Sequence, residues 1–253
     1  MSYQPSMTLA QVLYDNRYRD TGATVTYDGT LITGFDVINA YDWRDFSLFD
    51  QSASSNLKVQ LASAGLVDTI VLWRNPGTAG TVTVQTSPDG TTWTTVASIA
   101  LPAGGAAVWT DIQPTLALYW RVSPSVGVVW RQITIGAKLQ FPIGQWRDIS
   151  PPTLTQGVVV ENQISVNGSI IGRNLRRFEK AGTISLDYLK PEWVRGFWEP
   201  FVQWAIRYPF WQRWNPVEYP QDVAFAAAES IQPTKNMSPP PLMHAEIATK
   251  FIA

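Results

Sequence analysis

Hydrophobic and polar residues alternate in short runs from residue 56 to residue 141. In the run 80–87, Val82 and Val84 alternate with Thr83 and Gln85, the period-two pattern of a half-buried strand. Pro-Gly, Asp-Gly and Gly-Gly pairs and a further proline separate the runs. The strand candidates are 57–61, 67–73, 81–86, 92–99, 106–111, 118–123 and 132–141. Regular short strands with no helical pattern between them predict a β-sandwich or jelly roll.

The hairpin at 80–99 is the best-defined local element of this series. Asp89-Gly90 tolerates positive φ and favours a tight turn between two strands. Trp93 follows three residues after Gly90, at the start of the returning strand. We therefore predict that Trp93 is largely buried against the opposite sheet.

The hairpin also carries a family resemblance. Ser87, Asp89, Gly90 and Trp93 form an S-x-D-G-x-x-W pattern that resembles the central hairpin of discoidin-like (coagulation factor C) and related carbohydrate-binding jelly rolls. Sialidase-like repeats also place tryptophans near Asp-Gly turns. Segments 119–122 and 133–135 resemble the Y-W/F-R-V/I strand and the final core strand of the discoidin-like family. The resemblance covers residues 35–141 and implies a discoidin-like sandwich there.

Prolines mark a boundary after this series. Pro142 and the pair Pro151-Pro152 favour an extended linker, because proline cannot donate to a β-ladder. The predicted organisation is an N-terminal segment 1–34 that could be part of the sandwich, the sandwich 35–141, a linker 142–153 and a β-rich module 154–253. Asn167-Gly168 predicts a hairpin in that module. Strand patterns recur at 183–188, 223–231 and 242–251, and one face of the last comprises Met243, Ala245, Ile247, Thr249 and Phe251.

One aromatic-rich helix is predicted between Pro191 and Pro209. Pro191 and Glu192 suit the first turn of a helix, and Pro209 stops it. The predicted buried stripe consists of Trp193, Phe197, Phe201 and Trp204, with Trp198 and Val202 at its edge. The polar face is not basic enough for a membrane-surface helix. The expected fold class is therefore mainly β, with a discoidin-like β-sandwich plus a smaller α+β module.

Low charge and abundant aromatics suggest subunit contacts. Only 15% of the residues are charged, 12 are Trp, and the net charge is -1. Interfaces are depleted in charge and enriched in aromatic side chains, although a large aromatic core would explain the same composition. The candidate interface residues are Trp193, Phe197, Trp198, Phe201, Trp204, Phe210, Trp211 and Trp214.

The sequence offers no recognisable catalytic constellation. His244 is the only histidine, and no Ser-His-Asp set, phosphate loop or H-E-x-x-H motif is present. The absence of cysteine excludes disulfides and thiolate chemistry. We therefore expect a non-enzymatic protein without a cofactor. The near-zero charge gives no case for nucleic-acid binding, and no run approaches the ~20 apolar residues of a membrane span.

One predicted loop is either a cation-binding site or a turn stabilised by its own polar side chains. Asn39, Asp42 and Asp45 carry oxygens that suit a hard cation, and discoidin-like domains often hold calcium in such a loop. The family often adds a glutamate from the last strand, and 130–141 contains none. We therefore prefer an Asx-rich turn and predict no metal.

Aromatic side chains in predicted loops are the candidates for sugar contact. They are Tyr41, Trp43, Trp109 and Trp130. Arg44, which follows Trp43 in the sequence, is a fifth candidate. Each aromatic could equally anchor the core or an interface.

The order of the predicted elements resembles a further family. A sandwich followed by a small module with a hairpin, an aromatic helix and a terminal strand is similar to the distal-tail or tail-tip proteins of long-tailed bacteriophages. That resemblance implies a structural virion protein, made in the host cytoplasm, that forms a homo-oligomeric ring, expected to be a hexamer. Its implied partners are the tail tube, tape measure and hub proteins and host-surface glycans. The alternative is a soluble lectin-like carbohydrate-binding module or adhesin component; a glycan-active enzyme is the third class.

Overall fold

The computed structural model describes residues 10–142, 146–149, 156–237 and 241–252, with backbone only at 146–149, 156–159 and 175–179. Two compact units divide the chain. Val12–Leu139 form the sandwich unit, and the chain outside this range forms the second unit.

The described residues are mostly in strands. In chain order these are β1 Gln11–Leu13, β2 Thr24–Tyr27, β3 Phe49–Gln51, β4 Leu57–Arg74, β5 Gly80–Ser87, β6 Thr94–Leu101, β7 Val108–Pro124, β8 Val128–Gly136, β9 Leu139–Gln140, β10 Trp146–Ile149, β11 Gln156–Ile164, β12 Ile170–Leu189, β13 Phe210–Arg213, β14 Val223–Asn236 and β15 Met243–Phe251. Short 3-10 turns occur at Arg17–Arg19 and Val37–Ala40. One helix comprises α1 Pro191–Trp193, a π-helical turn Val194–Trp198 and α2 Glu199–Ala205. The chain is therefore mainly β, as the sequence predicts.

Strands β4 and β7 build both layers of the sandwich. The strand order is β3-β8-β4-β7-β5-β6, with β2 also paired to β4. The first half of β4 pairs with β2 and the end of β7, and its second half pairs with β8 and the start of β7. Both halves contribute side chains to one core, in which Val59, Leu72 and Trp120 are fully or almost fully buried. The two layers therefore share their longest strands.

Two pairs of predicted strands are joined in the structure. Segments 57–61 and 67–73 belong to β4, and 118–123 and all of 106–111 except its first two residues belong to β7. The register between these strands shifts between Gln60 and Gly65, and again between Val67 and Thr69. Such bulges absorb residues that break the alternation without ending the strand. Pro114 lies within the irregular stretch, where a proline is tolerated in a sheet.

Residues before position 35 belong to the sandwich unit from Val12 onward. Tyr18 is buried in the sandwich core, and Val25 and Tyr27 of β2 pack against it. The linker expected at 142–153 is described only at Pro142 and at β10; the remainder lies outside the described residues.

The second unit is built on one antiparallel sheet. Its order is β10-β12-β15-β14-β13, continued at the β13 edge by β1 and β9. Along β15, Ala245, Ile247, Thr249 and Phe251 are buried on the predicted face, while Met243 at its start is half-buried. β11 pairs with the first part of β12, from Ile170 to Lys180, in a separate two-stranded ribbon. We call 156–180 the arm; its turn contains Asn167-Gly168, as the sequence predicts.

The helix packs on the sheet by a stripe that differs from the predicted one. Buried side chains are Val194, Trp198, Phe201 and Ala205, whereas Phe197 is 53% exposed. Pro200 explains the difference. Because proline lacks an N–H and clashes with the carbonyl four residues earlier, it disfavours regular α-helix there. The π-helical turn before it, with the Glu199 N–H bonded to the Val194 carbonyl, accommodates the ring.

Candidate functional site

The Asp-Gly hairpin turn is fixed by its own side chains. Gly90 adopts φ +76°, as a tight turn requires. Ser87 Oγ accepts from the Gly90 N–H at 2.8 Å, and Asp89 Oδ1 accepts from the N–H groups of Thr91 and Thr92, each at 2.8 Å. These bonds, led by the one from Thr92, hold the pKa of Asp89 well below its usual range. The turn therefore carries a stable negative charge at neutral pH.

Trp93 does not enter the core, which corrects the sequence prediction. It is only half-buried and is not a member of the sandwich core. Its partner is Arg121 of β7, whose Cζ lies 4.3 Å from the centre of the Trp93 ring. On β7, Trp120 and Val122 point into the core, so the alternate residue Arg121 points to the outer face of the sheet. The turn extends beyond the strand pairing, which lets the indole fold onto that outer face.

Arg121 is itself held in place. Its Nε donates to Gln85 Oε1 at 2.6 Å, and Gln85 Nε2 donates to Thr95 Oγ1 at 3.0 Å. The chain of contacts runs from β6 through β5 to β7 and ends on the Trp93 ring. Arg121 and Gln85 are therefore positioning residues for an aromatic surface on the outside of the sandwich.

A groove of about 130 Å³ opens beside this ring. It is lined by Thr24, Thr26, Lys58, Val59, Gln60, Gly90, Trp93 and Tyr119. Strands β2, β4 and β7 supply its floor, and the hairpin turn supplies one wall. The lining combines two aromatic rings with hydroxyl, amide and amino groups, which is the composition of a site for a polar ligand with an apolar face.

The single ammonium in the lining has an anionic partner. Lys58 Nζ lies 3.1 Å from Asp28 Oδ2. Asp28 Oδ1 accepts from the Asn56 N–H at 2.6 Å, and Oδ2 accepts from Asn56 Nδ2 at 2.8 Å. Desolvation raises the pKa of Asp28, but these bonds and Lys58 together lower it overall. Lys58 therefore brings an ammonium donor to the groove, and the charge of that ammonium is balanced by Asp28 just outside the lining.

The residues singled out for sugar contact lie elsewhere. Trp130 is fully buried, and its Nε1 donates to Gln51 Oε1 at 2.7 Å, so it cannot face a ligand. Trp109 and Trp43 are also buried, at 8% and 5% exposure. Tyr41 is half-buried and stacks on Tyr18 at 5.4 Å. Of the five, only Arg44 is exposed.

The loop of Asn39, Asp42 and Asp45 shows the hydrogen bonds of a turn. Asp42 Oδ1 accepts from the Arg44 N–H at 2.9 Å, the Asx-turn geometry, and Asn39 Nδ2 donates to the Leu48 carbonyl. Within the described part of the chain, no three His, Cys, Asp or Glu side chains are grouped as metal ligands.

Four candidate interface residues lie in the interior of the second unit. Trp198, Phe201, Phe210 and Trp211 are at most 1% exposed within the single chain. Phe201 meets Phe210 at 4.9 Å, and Trp211 meets Phe225 at 4.7 Å. Phe197 is exposed, and Trp193, Trp204 and Trp214 are half-buried, so these four retain surface for a partner. Their role at an interface stays a prediction.

Sequence reasoning missed the groove, although a signal for it was present. Lys58 and Gln60 alternate with core residues on β4, and Tyr119 and Arg121 do so on β7. This alternation identifies one outer face. The pairing of β2 with β4, which places Thr24 opposite Gln60, has no short-range signal in the sequence.

No family model and no curated protein sequence matches this chain. Solved structures of carbohydrate-binding modules are similar to its sandwich. One is CBM32-1 from a family 31 glycoside hydrolase of Clostridium perfringens, at 15% identity over 49% of this chain and 99% of that one, with a TM-score of 0.43. Another is chitosan-binding module 1 from a Paenibacillus chitosanase/glucanase, at 22% identity over 49% and 99%, with a TM-score of 0.42. A third is the family 32 module of C. perfringens NanJ, solved with galactose, at 12% identity over 51% and 99%, with a TM-score of 0.41.

Proposed function

We propose that the sandwich unit binds carbohydrate through the groove beside Trp93. The observation that carries this proposal is the half-buried indole on the outer face, held from behind by Arg121 and flanked by Tyr119. A pyranose ring has an apolar C–H face that packs on an aromatic ring, and hydroxyl groups that need donors and acceptors. Thr24, Thr26, Gln60 and Lys58 supply donors, and the two hydroxyls and the Gln60 amide also supply acceptors. Preorganisation of the ring lowers the entropic cost of binding.

The proposed activity is binding without catalysis. Glycoside hydrolysis needs two carboxyl groups that flank the scissile bond. No carboxylate is among the groove-lining residues, and Asp28 is held by Asn56 and Lys58.

The test is a glycan panel followed by calorimetry with matched aromatic variants. Trp93→Ala should weaken binding by about 30-fold, which corresponds to about 2 kcal/mol for a central aromatic anchor. Phe46→Ala is the control, because Phe46 belongs to the same unit, is 76% exposed and does not line the groove. Tyr41→Ala tests the loop predicted from sequence. Equal affinity of Trp93→Ala and the wild type, or no glycan bound by the wild type, would refute the proposal.

The second candidate function is the structural one, a virion protein of a phage tail tip that self-associates. The arm favours it. Ile164, Val166, Ile170 and Ile171, at and beside its turn, are 63%, 106%, 65% and 70% exposed. A two-stranded ribbon is marginally stable in water by itself, and clustered exposed apolar residues mark contact sites. A neighbouring copy or another tail protein would cover them.

Incorporation into tail particles tests this candidate. The double variant Ile170→Ser, Ile171→Ser should reduce the amount of protein in purified particles, measured by mass spectrometry. Val217→Ser is the control, because Val217 is 69% exposed in the same unit and lies outside the arm. A particle structure in which the arm and residues 193–214 lose no accessible area would exclude the assembly role for both segments.

A further inference from the structure

We infer that the groove beside Trp93 selects neutral sugars and discriminates against charged ones. This inference rests on the proposed function and names the ligand class of the same groove. It follows from the way in which the charges around the lining are paired.

Two cations and two anions are tied to the lining residues. Lys58 faces Asp28 at 3.1 Å, and Arg121 is stacked on Trp93 while its Nε bonds Gln85. Asp89 directly precedes the lining residue Gly90, and the hydrogen bonds of its turn keep it ionised. These four charges sum to zero, so the groove carries no net charge that would attract a carboxylate or an ammonium.

The charges of Lys58 and Asp28 are also already paired with each other. A uronic acid carboxylate that approached Lys58 would compete with Asp28, and an amino sugar that approached Asp28 would compete with Lys58. Moving the two partners apart would expose one charge to a like charge on the ligand, which costs affinity. A neutral sugar avoids this cost, since a hydroxyl can accept from Lys58 without displacing Asp28.

The groove is small, at about 130 Å³, so it accommodates a single sugar unit rather than a long chain. Because one unit is bound, the affinity depends on the charge of that unit and not on the mean charge of a longer polymer. Short oligosaccharides are therefore the ligands for the test, with the intact chain of 253 residues.

The experiment compares oligosaccharides that share a backbone type and differ in charge. Galacto-oligosaccharides are paired with oligogalacturonates, and N-acetylated chito-oligosaccharides with de-N-acetylated ones. We expect a neutral member to bind at least tenfold more tightly than its charged counterpart, with a Kd that changes less than about twofold between low and high salt. Tighter binding of a charged member, with strong salt dependence, would overturn the inference and leave carbohydrate binding intact. If no sugar binds, both the proposed function and this inference fail.

A variant of the groove and a matched control sharpen the test. Asp28→Asn leaves Lys58 without its anionic partner and should raise affinity for oligogalacturonates at least fivefold. Asp111→Asn is the matched control, because Asp111 forms a comparable ion pair with Lys138 and lines no part of the groove. If both variants gained affinity for oligogalacturonates, the change in the net charge of the protein would explain the gain, and the role of the Lys58–Asp28 pair would be overturned. Unfolding curves verify that each variant is folded.

Discussion

At the scale of single residues, Asp89 accepts the hydrogen bonds that fix the hairpin turn, and it keeps a negative charge beside the groove. The Asp-Gly pair predicted the turn, and the turn is present with Gly90 at positive φ. The pattern did not predict where Trp93 would lie, because the direction of a turn relative to the sheet depends on neighbouring strands. Arg121 is distant in sequence, and its contact with Trp93 exists only after β5 and β7 pair.

The Asp89 turn gives a pH prediction. The folded-state pKa lies below the unfolded value of about 3.9, so the unfolded state binds more protons on acidification. The contribution of Asp89 to stability is thus complete above the unfolded pKa and is lost as the pH falls further. Urea unfolding of the wild type and Asp89→Asn should differ at pH 7, and the difference should shrink below about pH 4. A difference that stays constant down to pH 2 would contradict this account.

At the scale of elements, strands and turns were predictable, and strand continuity was not. Alternation located the ends of β5 and β15 well, because their hydrophobic faces are regular. It divided β4 and β7, because bulges interrupt alternation in the same way that loops do. The helix shows a different limit. Its ends followed from proline positions, whereas its buried stripe depended on Pro200, an internal proline whose π-turn changes which aromatic side chain faces the sheet.

Neighbouring aromatics on the helix provide a matched pair for testing that stripe. Trp198 packs against Phe141 and Phe201 at ring distances of 6.3 Å and 5.6 Å, and Trp198→Ala should lower the free energy of unfolding by about 3–5 kcal/mol. Phe197 is 53% exposed, and Phe197→Ala should change the free energy of unfolding by less than about 1 kcal/mol. Denaturant titrations of the two variants decide the point. The reverse order of effects would restore the stripe predicted from sequence.

At the scale of the whole molecule, the sandwich unit has a hydrophobic core of its own, drawn entirely from residues between Tyr18 and Ile135. The sequence predicted the sandwich and the fold class, but it left the status of residues 1–34 open. The N-terminal residues join the unit through β2, whose partner β4 begins only after the 3-10 turn Val37–Ala40 and β3. Among the described helices, none has the length and apolar character needed to cross a lipid bilayer.

Independence of the sandwich unit is testable by excision. Residues 12–139 alone should unfold in a single cooperative transition and bind the preferred glycan with a Kd within about threefold of that of the full chain, because all groove-lining residues lie inside this range. Calorimetric unfolding and titration of both proteins provide the comparison. An excised unit that folds but no longer binds would place part of the binding site outside it.

The sharing of β4 and β7 between both layers has a consequence for how the chain folds. Leu57 pairs with Val122, and Leu72 pairs with both Val108 and Ile133, so each layer needs partners that lie far apart in sequence. Closing such long loops lowers the entropy of the chain before the stabilising contacts form. Folding is therefore slow compared with that of helical proteins of similar size. Because neither layer can be completed while the other is absent, the two are expected to appear together, in one kinetic step, with no half-sandwich accumulating on the way.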